Sequence, residues 1–349
     1  MIAYVSIGTT NSGNQERQGF LMQNEDKLLQ KGYIYPKSLR VANRHWALVD
    51  IVLELVKKDK LSKNPLDDIQ NPRLIQAVEN FKKEASLNKD KKFIFAAEGI
   101  VWDFSTKRHI QILKEVLNAL GFDEIYEIVY FRDTLGYLNS HCSQDIKNNM
   151  GFYSADFKPD EHPRKYIFDY KWICQSHMEV FGEKNLIVRL LKEEYVGGTL
   201  LKDFVYHLGL KWDDDFILKQ TKNESFNLLG MELQGRLIKK DLHGQNINSL
   251  LYIARKTFEG TKEDRLKFRV QKDIAKAYVD YYAPSLEWVR ERFFPHRKYL
   301  FEPVNWDEYK ENTTLTHTKE HDWDKVADFI ASIIISKNKI IQSLKKDNI

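Results

Sequence analysis

The stretch Ile2-Ala3-Tyr4-Val5-Ser6-Ile7-Gly8-Thr9-Thr10-Asn11-Ser12-Gly13-Asn14-Gln15 decides the fold class. Ile2 to Ile7 is a short apolar run of strand formers, Gly8 to Gly13 breaks it, and a helical pattern begins near Asn14. Phe20, Leu21, Leu28 and Leu29 recur at near-helical spacing, and Gly32 follows as a C-cap. The order is strand, loop, helix. Such a loop offers backbone N–H groups and the positive end of a helix dipole to an anion. The glycines fit a plain turn equally well, and the Gly-x-x-x-x-Gly-Lys-[Ser/Thr] pattern of nucleoside triphosphatases is absent.

Working outward, the segment from Lys57 to Lys92 is rich in Lys, Asn and Asp and holds Pro65 and Pro72, which predicts polar surface helices and loops. Phe93 to Ala97 is a second apolar run ending at Glu98, followed by a helix over about Ser105–Leu120. Ile125–Phe131 and Asn185–Leu190 are the third and fourth strands, with helices over Asp133–Asn149 and Lys165–Phe181 between them. This alternation predicts a central parallel sheet flanked by helices, with ligands at the carboxyl ends of its strands. From Asn246 the chain is mainly helical, with long patterns over Asp264–Phe293 and Trp323–Leu344. The expected division is therefore an α/β domain over 1–240 and a helical extension over 241–349, the latter a candidate surface for homo-oligomer formation.

Composition narrows the function classes. The 349 residues carry 42% hydrophobic and 30% charged side chains, which is ordinary for a folded chain and too apolar for a disordered one. Lys plus Arg (54) exceed Asp plus Glu (50) by four, so no global field argues for nucleic acid, and an anion site must be local. The two cysteines, Cys142 and Cys174, are too few for a disulfide framework. With an opening that reads as a strand rather than a signal peptide, and Phe329–Ile335 far shorter than a membrane span, a cytoplasmic protein with no integral membrane segment is expected. No His/Cys/Asp cluster has metal-ligand spacing, so no metal is expected, and His109 and His141 are taken as structural.

Read together, Gly8 to Gly13, Phe20-Leu21, Asn24, Leu28-Leu29, Gly32-Tyr33 and Tyr35-Pro36 resemble the opening of bacterial sulfotransferase-family proteins. The similarity continues through Asp169-Tyr170, Phe181-Gly182, Val188-Arg189, Val196-Gly197-Gly198, Asp203-Phe204, Leu208-Gly209 and Asn223-Glu224-Ser225. The resemblance implies a three-layer P-loop fold and 3′-phosphoadenosine 5′-phosphosulfate as donor substrate. Gly8, Thr9, Thr10, Asn11, Ser12, Gly13, Asn14 and Gln15 would hold its 5′ end. Arg132 and Ser140 would hold the 3′-phosphate, since an Arg ending a strand and a Ser about two helical turns onward can face one crevice. An Arg132–Asp133 pair with a helix-facing Ser140 is the alternative.

One departure stands out. Family loops carry a Lys before the Ser/Thr-Gly step and hydroxyl residues after the Gly, where this chain has Asn11, Asn14 and Gln15. The lysine neutralises charge as the sulfuryl group leaves; Arg17, close in sequence, is the candidate replacement. Glu98, at the end of the second apolar run, is the candidate base toward an acceptor hydroxyl, with an N-cap or a salt bridge to Lys107 or Arg108 as its structural alternative. His45, in Asn43-Arg44-His45, is a secondary candidate near the acceptor. The expected activity is sulfuryl transfer to a glycan or glycolipid hydroxyl. The rival is a degenerate relative that binds a nucleotide or a partner without turnover.

Overall fold

The computed structural model describes residues 1–148, 153–218, 226–238 and 248–346. In chain order it has β1 (Ile2–Gly8), α1 (Asn14–Gln23), α2 (Glu25–Gln30), β2 (Tyr33–Ile34), α3 (Trp46–Leu55), α4 (Pro72–Ser86), β3 (Lys92–Ala96), α5 (Gly99–Asp103) and α6 (Lys107–Ala119). There follow β4 (Glu124–Phe131), α7 (Thr134–Asn148), α8 (Tyr170–Phe181), β5 (Leu186–Leu190), α9 (Leu200–His207), α10 (Leu228–Ile238), α11 (Asn248–Phe258), α12 (Lys272–Phe293) and α13 (Glu320–Lys346).

The five strands form one parallel sheet in the order β2-β3-β1-β4-β5. β1 is central, pairing Ala3 with Phe93 on one side and with Ile125 on the other. Its near-complete burial follows from helices covering both faces, which is why its sequence is a continuous apolar run rather than an alternation. On one face Tyr4, Ile94, Ile128 and Tyr130 pack with Phe20 and Leu21 of α1, Leu28 of α2, Phe204 of α9 and Leu208 just after it. On the other, Phe93 and Phe95 meet Phe81 of α4 and Phe122, while Phe131 stacks on Tyr170 of α8 at 4.1 Å. The result is a three-layer α/β arrangement.

Several elements differ from the sequence reading, each for a local reason. The first helix is split at Asn24, whose buried amide donates to Phe20 O and to Ile217 O and accepts from Ile217 N. The Lys/Asn-rich segment contains α4, started by Asn71 accepting from Arg73 N with Pro72 at the first helical position, and its Leu74, Val78, Phe81 and Ala85 are core. The fifth strand, β2, is only two residues long and carries no pattern. Asn223, Glu224 and Ser225 lie outside the described residues, as do 240 and 241, where the division was expected.

The chain forms two compact units whose segments interleave, rather than dividing once near residue 240: Met1–Asp133, Pro163–Lys222 and Tyr282–Glu302 in the first, and Thr134–His162, Asn223–Tyr281 and Pro303–Ile349 in the second. The first holds the sheet, and its last segment is tied in by Ser285 Oγ donating to Asp169 Oδ1 (2.7 Å) and Arg297 pairing with Glu193 and Glu194. The second is helical, with its own core of Phe226, Leu229, Met231, Phe258, Leu266 and Phe329. Among the described residues no helix is long and apolar enough to cross a membrane.

Candidate functional site

In a parallel sheet all carboxyl ends lie on one edge. From β1 the chain proceeds toward β2 and β3, whereas from β4 it proceeds toward β5, so the connections diverge between β1 and β4, the position at which parallel sheets of this kind open a ligand crevice. The loop after β1 and Arg132 after β4 flank that position. Thr9 ties the loop to β4, its N–H and Oγ1 both donating to Tyr130 O (3.2 and 3.0 Å). Ser12 Oγ (2.6 Å) and Asn14 Nδ2 (2.7 Å) donate to Thr9 O. Asn11 (φ 57°) and Gly13 (φ 83°) turn the backbone through the left-handed region, which favours glycine at 13, and a Cβ there would stand 2.3 Å from Leu200 Cδ2, so the leucine would have to shift. Gly13 is also the N-cap of α1 and supplies no side chain to its first-turn N–H groups.

The loop hydroxyls are thus less available than the sequence suggests. Thr9 and Ser12 are buried, with their protons committed to carbonyls, and Gln15 is exposed on α1. Thr10 is half-buried, and Gly8 abuts Val101. What the loop has instead is Arg17. This side chain, 1% exposed, lies beneath the loop, Nη1 donating to Ser12 O (2.8 Å) and Nη2 to Asn14 Oδ1 (2.5 Å). Its guanidinium stands 4.3 Å from the centroid of the Tyr130 ring. Among the described residues no carboxylate forms an ion pair with it, and its Nε is buried without a partner. Burial pulls its pKa below the usual arginine value, and the nearby Tyr130 and Glu98 push back.

The neighbouring carboxylate is already neutralised by another cation. Asp203, fully buried, accepts from Tyr130 Oη (2.7 Å), from Val196 N (2.9 Å) and from Arg189 Nε and Nη2 (3.1 and 2.7 Å). Burial raises the Tyr130 phenol well above its ordinary value, so it stays a neutral donor. Asp203 therefore compensates Arg189, and the Arg17 charge is left over. Sequence reading took Asp203 and Arg189 only as family-like positions and missed Tyr130; no periodicity signals that three residues from β4, β5 and α9 will meet.

Arg132 reaches back over the loop, Nη1 donating to Asn11 O (3.2 Å), with its own Nε and Asn11 Nδ2 both buried and unpartnered. Its expected companion Ser140 lies on α7, in the second unit. Glu98, 7% exposed, precedes α5 without capping it; its Oε1 accepts from Arg44 Nη1 (3.1 Å) and its Oε2 from Gln18 Nε2. Neither Lys107 nor Arg108 is its partner: Lys107 pairs with Glu179, and Arg108 donates to Lys58 O and Asp59 O. Each oxygen of Glu98 keeps a second lone pair, so it can still accept a proton. His45 accepts from Ala96 N at Nδ1 (3.0 Å) and donates to Pro36 O from Nε2 (3.0 Å). Burial pushes its pKa down to about 3. With both nitrogens committed, His45 is a neutral clamp at the end of β3.

Loop amides, Arg17 and Arg132 converge on an edge where a compact anion would find donors and positive charge. In the second unit, Glu263, His321 and Asp322 bring ligand atoms within 4.8 Å of one another, which spacing could not reveal. Arg265 on both oxygens of Asp322 and Lys319 on Glu263, all at 2.9 Å, already supply the cations there. No family model matches the chain, and no curated protein or solved structure matches it either.

Proposed function

We propose that the chain is a sulfotransferase-like enzyme of cytoplasmic setting, taking 3′-phosphoadenosine 5′-phosphosulfate as donor and a hydroxyl of a glycan or glycolipid precursor as acceptor. The observation that carries the anion site is Arg17: a buried guanidinium with no carboxylate at ion-pair distance among the described residues, beneath an uncapped helix start at the carboxyl edge of a parallel sheet. Buried charges are ordinarily paired, so this one implies an anion in the working state. The unpartnered Asn11 Nδ2 and Arg132 Nε fit the same group.

The donor supplies a sulfuryl group on a phosphosulfate anhydride. The amides after Ser12, with Asn11, hold its 5′ end. Arg17 contributes from below the loop the positive charge that the family lysine would contribute from above it. Arg132 binds phosphate oxygens, and Ser140 is assigned to the 3′-phosphate by resemblance. Glu98 takes the proton of the acceptor hydroxyl at a carboxylate oxygen, while Gln18 and Arg44 fix its orientation.

The commitment of both Glu98 oxygens and of the Thr9 and Ser12 hydroxyls favours a second reading, a protein that binds the nucleotide without turnover. Calorimetric titration with 3′-phosphoadenosine 5′-phosphate at fixed salt tests both. Saturable binding that Arg132→Ala weakens 10-fold or more supports the site, and a turnover assay with the sulfated donor then separates enzyme from binder. A folded wild-type protein that does not bind removes both readings.

A further inference from the structure

α13 turns one side into the second unit, where Val326, Phe329 and Ile333 pack with Phe258 and Leu229, and Asp322 is held by Arg265. About a quarter turn around the same helix runs a second, mainly apolar line that none of the described residues covers: Trp323 (64% exposed), Ala327, Ile330 (51%), Ile334 (55%), Lys337 and Ile341 (49%). The steps are four, three, four, three, four, the spacing of a coiled-coil seam, over about 27 Å of helix. A soluble helix with one buried face has no need of this second stripe.

The stripe is also palindromic. Positions 323 and 341, 330 and 334, and 327 and 337 are symmetric about residue 332. Two copies of α13 packed antiparallel about a two-fold axis at that point set Trp323 against Ile341, Ile330 against Ile334, and Ala327 against Lys337. In a parallel pair each residue would meet its own copy, Lys337 against Lys337. Charge agrees on balance with the antiparallel choice: Glu320, Asp324 and Asp328 outnumber Lys325 in the first half of α13, and Lys337 and Lys339 lie in the second. Antiparallel packing puts acidic half against basic half and opposes the helix dipoles, while the small Ala327 leaves room for the Lys337 stem to reach toward Asp324.

We infer that the occupant of this stripe is a second copy of the chain, joined through antiparallel α13 helices in a two-fold dimer. One helix pair is a small interface, so dissociation is expected at roughly micromolar concentration. Sedimentation of the full chain across a dilution series should give a monomer–dimer equilibrium. Ile330→Glu with Ile334→Glu, both exposed in the monomer, should weaken it roughly 100-fold with unchanged helical content. Mixing an Ile330→Cys protein with an Ile334→Cys protein under mild oxidation should give the mixed disulfide. A wild-type chain that stays monomeric at high concentration would overturn the inference and leave the stripe to another partner. A dimer insensitive to the double substitution, or like-with-like disulfides, would also overturn it.

Discussion

Replacing Arg17 with Met separates a side chain that holds an anion from one that only braces a loop. The substitution keeps the length and most of the volume, so packing against Tyr130 and Phe204 is largely retained. Two charge-assisted hydrogen bonds, to Ser12 O and Asn14 Oδ1, are lost, at about 1.5–3 kcal/mol each. Against this, a buried cation that no described carboxylate meets at ion-pair distance disappears, relieving a penalty of several kcal/mol. The opposing effects are of similar size, so the stability of the ligand-free protein should change by no more than about 1–2 kcal/mol. Binding should behave differently. An anion about 4 Å from the guanidinium in a partly desolvated site gains on the order of 4 kcal/mol, and screening reduces this to about 2–3 kcal/mol, a loss of roughly 30-fold to 150-fold in affinity. Urea denaturation with and without 3′-phosphoadenosine 5′-phosphate reads both quantities. A destabilisation beyond 3 kcal/mol with unchanged affinity would refute the argument and make Arg17 a brace alone.

Gly13→Ala should destabilise the protein by roughly 2–3 kcal/mol, since it combines a left-handed backbone with a Cβ 2.3 Å from Leu200, and urea titration checks it. His45 predicts an acid limb. Its pKa is depressed when folded, so the unfolded chain binds more protons as pH falls below about 6.5, and its contribution, fully present above that pH, is lost toward pH 3 at up to about 1.4 kcal/mol per unit. The wild type should therefore lose stability between pH 6.5 and 5 more steeply than His45→Gln, measured by urea unfolding at both pH values; parallel slopes would reject the assignment.

The strands were legible where burial on both faces leaves a continuous apolar run, as in β1, β3 and β4. β2 was not, because two residues carry no pattern. α4 was half hidden: its solvent face is rich in Lys, Asn and Glu and masks the stripe of Leu74, Val78 and Phe81. At the site, the loop and the closeness of Arg17 could be read from local order. Tertiary partners could not. The Asp203 cluster joins three elements, and the His45 clamp depends on Pro36 and Ala96 meeting across it. The pairing of Arg132 with Ser140 came from the family resemblance, with helical spacing only permitting it, and spacing does not reveal that β4 and α7 belong to separate units.

The interleaving of the two units also sets an order of events during synthesis. Residues 282–302 complete the sheet-bearing unit through the bonds of Ser285 and Arg297, yet they leave the ribosome after residues 223–281 of the other unit. At ordinary elongation rates the interval from residue 222 to residue 302 is roughly 4–16 s. During that time the nascent sheet has its strands but lacks its last segment, and the loop after β1 forms before the unit that contains it is finished. A fragment ending near residue 240 would be arrested in that state, so a shortened version meant to isolate the sheet should carry the 282–302 segment on a linker rather than omit it.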